Sequence, residues 1–196
     1  MGRPVRKFKF RWIVLALVAA PFVYNLDAFY GAWKFSRLCK NEGGPRYYAV
    51  VERKLGWEVD NRVSGDRYKS AFQFEDIAFV RFNDKAGRLM DAYATRHPWP
   101  KEPDYSIVPA NESRLVRYRY VFERNLFPDD ARMSKEQDLI FDKTTGRLAA
   151  SFTQFGYRWT SPDRVILAAP TGVRCEFLSA DYEKFRRSIF LPPISR

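Results

Sequence analysis

A basic, polar start gives way at Trp12 to an apolar run, Trp-Ile-Val-Leu-Ala-Leu-Val-Ala-Ala-Pro-Phe-Val-Tyr, that ends at Tyr24. These thirteen residues are short for a bilayer crossing. Continuing to Trp33 gives 22 residues, or about 33 Å of helix, enough to cross a hydrocarbon layer roughly 30 Å thick. Asn25 and Asp27 then fall at the far interface, and Pro21 kinks the helix. Trp12 at one end, with Tyr24, Tyr30 and Trp33 at the other, supplies the aromatic belts of a membrane interface. Gly43-Gly44-Pro45 forbids further helix, so one helix is expected over residues 12–42. A cleaved signal peptide is the rival reading. Ala19-Ala20 precedes Pro21 and Ala28 follows Asp27, and neither place suits cleavage, so the uncleaved anchor is preferred.

Beyond residue 43 the period changes to two. Val116, Tyr118, Tyr120 and Phe122 alternate with Arg117, Arg119 and Glu123, as in a half-buried antiparallel strand. Arg46 to Arg53 reads as a strand, and so does Phe72 to Phe82, with Phe72, Phe74, Ala78, Val80 and Phe82 on one face. Phe82-Asn-Asp-Lys-Ala-Gly-Arg-Leu89 and Phe141-Asp-Lys-Thr-Thr-Gly-Arg-Leu148 share their spacing. Each reads as a hairpin with glycine at positive φ, whether by duplication or because such turns are common. The prolines after His97 predict a loop reaching as far as Pro109. Ser179 to Phe190 predicts a short helix with a serine cap, acids early and bases late. The expected fold is α+β: an N-terminal transmembrane helix extending beyond the membrane, then an antiparallel sheet of about six or seven strands with a short C-terminal helix. The domains follow as 1–11, a cytoplasmic basic N-terminus; 12–42, the spanning helix and its extension; and 43–196, an exported β-rich domain.

Composition sharpens this reading in two ways. Aromatic residues make up 17% of the chain, which suits pleated, half-buried surfaces. The net charge is +11, and five of the basic residues (Arg3, Arg6, Lys7, Lys9, Arg11) lie in the first eleven with no acid among them. That cluster keeps the N-terminus in the cytoplasm and sends the domain across, which predicts an inner-membrane protein with a periplasmic domain. In an oxidising compartment Cys39 and Cys175 would pair; otherwise they are two unrelated free thiols. At Leu38-Cys39 followed by Gly43-Gly44, after an apolar anchor, the chain resembles uncharacterised membrane-anchored exported proteins of proteobacteria. The resemblance covers some ten residues; it implies a disulfide and a periplasmic β-domain, and brings no activity.

Catalytic signatures are missing from the sequence. His97 is the only histidine and sits among prolines, and no nucleophile elbow, phosphate loop or zinc-binding helix is present. Two cysteines and one histidine do not make a four-ligand zinc site, and no cofactor is expected. Glu75-Asp76 and Asp129-Asp130 are adjacent carboxylates, which in a strand point to opposite faces. The best binding candidate is the basic face of Arg114, Arg117, Arg119 and Arg124, suited to an anionic ligand or to plain solvation. Nucleic acid is not expected as a partner outside the cytoplasm. The expected function is a non-catalytic accessory or interaction protein of the cell envelope that meets a partner protein at the membrane, with an immunity or exclusion role as a variant. A binding module for an anionic lipid or glycan and an enzyme with an unrecognised site are the alternatives.

Overall fold

A computed structural model describes residues 15, 19, 26, 28–59, 67–74, 76–95, 104–158, 172–175 and 179–190. Helix α1 occupies residues 28–42, and Leu15, Ala19 and Leu26 ahead of it are helical as well. Its end is where the glycines put it: the Gly43 N–H donates to the carbonyls of Leu38 and Cys39, and Gly44 takes a φ of 89°. Among the described residues no helix is long and apolar enough to cross a membrane. Apart from Leu15 and Ala19, the apolar run 12–24 lies outside the described residues, as do Trp12 and Tyr24.

The rest is one mixed sheet with short helices. Its strands are β1 (Gly44–Tyr47), β2 (Gly56–Val59), β3 (Phe79–Asn83), β4 (Leu89–Thr95), β5 (Asp104–Pro109), β6 (Val116–Phe127), β7 (Asp130–Asp142), β8 (Leu148–Arg158) and β9 (Gly172–Arg174). Helix α2 (Arg67–Ala71) follows β2, and α3 (Ser179–Ser188) follows β9. The order across the sheet is β1-β8-β7-β6-β2-β3-β4-β5, with β9 beside β1 on the outer edge of β8.

The expected all-antiparallel sheet is corrected in one place: β2 runs parallel to both β3 and β6. This strand has only four residues and carries no alternation long enough to read, yet it joins the two antiparallel halves. Two strand expectations also shift. Residues 46–53 give only the end of β1 before the chain bends at Tyr48. Phe72 and Phe74 lie in the turn after α2, and Asp76 takes a φ of 62°, so the strand begins at Phe79. The segment 104–109, expected as loop, is the edge strand β5, where Pro109 sits at the strand's end as edge prolines do.

Both matched hairpins are present. Gly87 and Gly146 take φ values of 78° and 69° in open space. The Asp84 and Asp142 carboxylates accept turn N–H groups, from Ala86 and Arg88 and from Thr144 respectively. The main core lies on one face of the sheet, under α2 and α3. Trp57 is completely buried at its centre, against the rings of Phe74, Tyr118 and Tyr120. Phe185 and Ile189 bring α3 onto Phe152 and Phe74. Full burial of each such aliphatic or phenyl group is worth roughly 1.5–3 kcal/mol.

Candidate functional site

The distal halves of β6, β7 and β8 carry a second buried group, Met133, Phe155 and Tyr157, on the opposite face from the main core. Helix α1 covers it. Gly31 lies so close to Tyr157 that a Cβ there would stand 2.6 Å from the phenol oxygen. The Tyr157 hydroxyl donates to the carbonyl of Ala28 at 2.9 Å, and Phe35 stacks on the same ring at 5.9 Å. The Lys34 ammonium sits 5.5 Å from the centre of the Phe127 ring. Further along, Cys39 is bonded to Cys175, whose N–H donates to the Phe155 carbonyl. Residues 28, 31, 35 and 39 thus form the inner face of α1, at helical spacing.

Among the described residues nothing covers the outer face. Leu26, Phe29, Tyr30 and Trp33 recur at the spacing of one helical face, and each exposes more than half of its surface. Tyr30 and Trp33 touch each other with ring centres 5.8 Å apart, and the Arg37 guanidinium lies over Trp33. Both of the described residues expected at a membrane interface, Tyr30 and Trp33, are therefore on this exposed stripe.

The four arginines singled out from the sequence do not share one surface. Arg117 and Arg119 project from the face of β6 opposite Tyr118 and Tyr120. Arg117 pairs with Asp142 at 2.9 Å and bonds to Thr144, with Glu52 at 4.0 Å. Arg119 lies over the Phe141 ring. Arg124 faces the other way, 3.3 Å from the cross-strand Glu136. Arg114, on the turn before β6, donates to the Tyr93 hydroxyl and covers Phe79. Three of the four charges are thus engaged by carboxylates or a hydroxyl of the protein itself.

Two buried polar clusters were not legible in the sequence. In the first, Asp91 is wholly buried and holds Arg81 through two hydrogen bonds, at 2.7 and 3.0 Å. Asn111 completes it: its N–H donates to Asp91 and its carbonyl accepts from Arg81. In the second, the Tyr120 hydroxyl donates to Asp138. Tyr182 of α3 makes a second bond to the same carboxylate. Burial pushes the Asp138 carboxyl above the usual carboxylate range, against the two tyrosine hydrogen bonds that oppose it. Burial likewise pushes both phenols up, helped by the adjacent carboxylate. Alternation hid Asp91, because it stands opposite the core-facing Ala92, whereas Asp138 shares the core face of β7 with Ile140 and is accommodated there by its tyrosine partners. Among the described residues no three His, Cys, Asp or Glu side chains gather to hold a metal ion.

Comparison with protein-family models, with curated proteins and with solved structures gives no match to this chain.

Proposed function

We propose that this protein is a non-catalytic, membrane-anchored interaction protein of the cell envelope. It holds a disulfide-closed β-sheet domain at the membrane surface, where that domain meets a partner protein. One observation carries the reading: α1 is fastened to the sheet along its inner face and leaves an apolar, aromatic stripe uncovered along its outer face. An exposed stripe of Leu, Phe, Tyr and Trp directly after an apolar run of thirteen residues suits the boundary between lipid and water. The Cys39–Cys175 bond supports residence in an oxidising compartment. The groups that burial perturbs most, Asp138 with Tyr120 and Tyr182, are spent on joining α3 to the sheet, which is a structural use. The anionic-ligand alternative draws less support, because three of its four arginines already have polar partners within the fold.

The test begins with the full chain expressed in a Gram-negative host and the membranes washed with alkaline carbonate. Retention in the pellet, and protease access to the domain only after the outer membrane is opened, is the expected result. Purification in mild detergent without reductant should then bring down one stoichiometric protein partner with the disulfide intact. Extraction by carbonate would end the anchoring part of the reading. A clean monomer would end the partner-binding part.

A further inference from the structure

We infer that α3 is a pH-sensitive latch: it grips the sheet firmly in acid and loosens as the pH rises, through the Asp138 carboxyl that it covers. The latch works in the same way whether or not the chain is anchored in a membrane.

Asp138 stands on the core face of β7, two residues from Ile140, and is buried. Helix α3 lies over it, with the wholly buried Phe185 against Phe152, the cross-strand neighbour of Asp138 on β8. Lifting α3 is thus the local motion that opens this carboxyl to water. Its polar contacts are two phenols, Tyr120 of β6 and Tyr182 of α3. Among the described residues no cation pairs with it. The Arg186 guanidinium of α3 is held by Glu183 and by the Gln73 carbonyl. Arg67 of α2 is held by the Phe122 carbonyl. Glu136, two residues back on the same strand, pairs with Arg124 and Arg174 and adds repulsion of its own. From β8 comes the uncharged Phe152. A carboxylate here would keep its charge out of water on two neutral donors, with no ion pair, and burial holds the carboxyl above its ordinary range. Burial pushes both phenols up as well, so they remain donors.

The other attachments of α3 permit a local opening. Just before the helix the chain is fixed at Cys175, which is bonded to Cys39 and donates to the Phe155 carbonyl, so β9 stays in place when α3 lifts. Beyond Tyr182 the helix is held by the apolar contacts of Phe185, Ile189 and Phe190, by Arg186 on Gln73, and by the Val51 N–H on the Ile189 carbonyl. None of these contacts is made by a carboxyl or a histidine, so they hold α3 equally through the range in which Asp138 titrates. In the closed state Asp138 keeps its proton to higher pH than in the open state, where water surrounds it. Between the ordinary carboxylate value, about 4, and the raised one, opening releases a proton, and the open fraction grows about tenfold per pH unit. Below and above that window the latch is insensitive to pH.

The test is amide hydrogen exchange on the full chain in mild detergent, disulfide intact, from about pH 4 to about pH 8 and corrected for intrinsic exchange. The α3 amides should exchange more readily than those of β3 and β4, which marks a local opening. Their protection should fall by about tenfold per pH unit above the ordinary carboxylate range and then level off. Asp138→Asn, which keeps the shape without the titration, should leave α3 equally protected throughout. Tyr182→Phe, which removes one donor to the carboxylate, should carry the fall to higher pH. Equal protection in α3 and in β3 and β4, a flat profile in the parent, or a fall that survives in Asp138→Asn overturns the latch. So does a fall in Tyr182→Phe that ends at lower pH than in the parent.

Discussion

The buried pair Arg81–Asp91 offers the most direct physical test of the fold. Replacing Asp91 by alanine removes two of the three acceptors of a guanidinium that is itself nearly buried, leaving it only the Asn111 carbonyl, and also orphans the Asn111 N–H. Breaking a buried pair by removing one partner costs about 3–5 kcal/mol, because the remaining charge stays desolvated. The orphaned N–H adds about 1 kcal/mol. In urea, with a slope of about 2 kcal/mol per molar, a loss of about 4 kcal/mol moves the midpoint down by about 2 M. Intrinsic fluorescence of the wholly buried Trp57 is a suitable reporter. The decisive comparison is the double variant Arg81→Met with Asp91→Leu, which removes both charges and keeps the volume. It should lie within about 1–2 kcal/mol of the parent, far above the Asp91→Ala single variant. Should Asp91→Ala cost less than about 1 kcal/mol, or should the double variant be worse than the single, the claim that desolvated charge dominates here is wrong.

Three further outcomes follow from the same reasoning. Folding raises the Asp138 carboxyl above its ordinary value, so the stability this group contributes is complete below the ordinary carboxylate range and is lost as pH rises through the raised value. Asp138→Asn should thus gain on the parent in denaturant midpoint as the pH rises above the ordinary carboxylate range, and an unchanged difference would argue against a raised Asp138 carboxyl. Gly31→Ala forces a methyl to within 3 Å of the buried Tyr157 ring and should cost about 1–3 kcal/mol, with partial recovery in Gly31→Ala/Tyr157→Leu, measured by thermal unfolding. Breaking the bridge by Cys39→Ser and Cys175→Ser together releases a sequence separation of 136 and should cost about 2–5 kcal/mol. A midpoint unmoved on reduction would mean that α1 is held by packing alone.

The sequence was readable where one period dominates over many residues, as in β6 and in the two Gly-Arg-Leu hairpins, because burial on one face and turn chemistry at its end point the same way. It was readable at α3 for the same reason, since Tyr182, Phe185 and Ile189 form the stripe that lies on the sheet. It failed at β2, whose Trp57 and Val59 are buried as expected of a strand but whose parallel partners lie 23 and 60 residues downstream. Strand direction depends on such distant pairing and leaves no local trace. Of the candidate site, the Cys39–Cys175 pair was legible, because two cysteines allow a single bridge. The scattering of the four arginines was not: Arg124 is seven residues from Arg117, and only the observed pairing shows that it faces Glu136. The inner face of α1 was equally hidden, because Gly31 reads as a weak helix residue until Tyr157 is placed against it.

Pairing of β1 with β8 also sets an order for assembly during synthesis. Gly44 meets Thr153 and Cys39 meets Cys175, so the earliest part of the domain to leave the ribosome has no partner until nearly the last part has been made. The β3–β4–β5 meander, by contrast, is built from neighbours and can close first. Throughout that interval Cys39 waits with its thiol unpaired. With only one other cysteine in the chain, no wrong bridge can form within a molecule. Any wrong bridge must be to another molecule, a second unfinished chain included, so crowding of nascent molecules, rather than scrambling within one, is the hazard this topology carries.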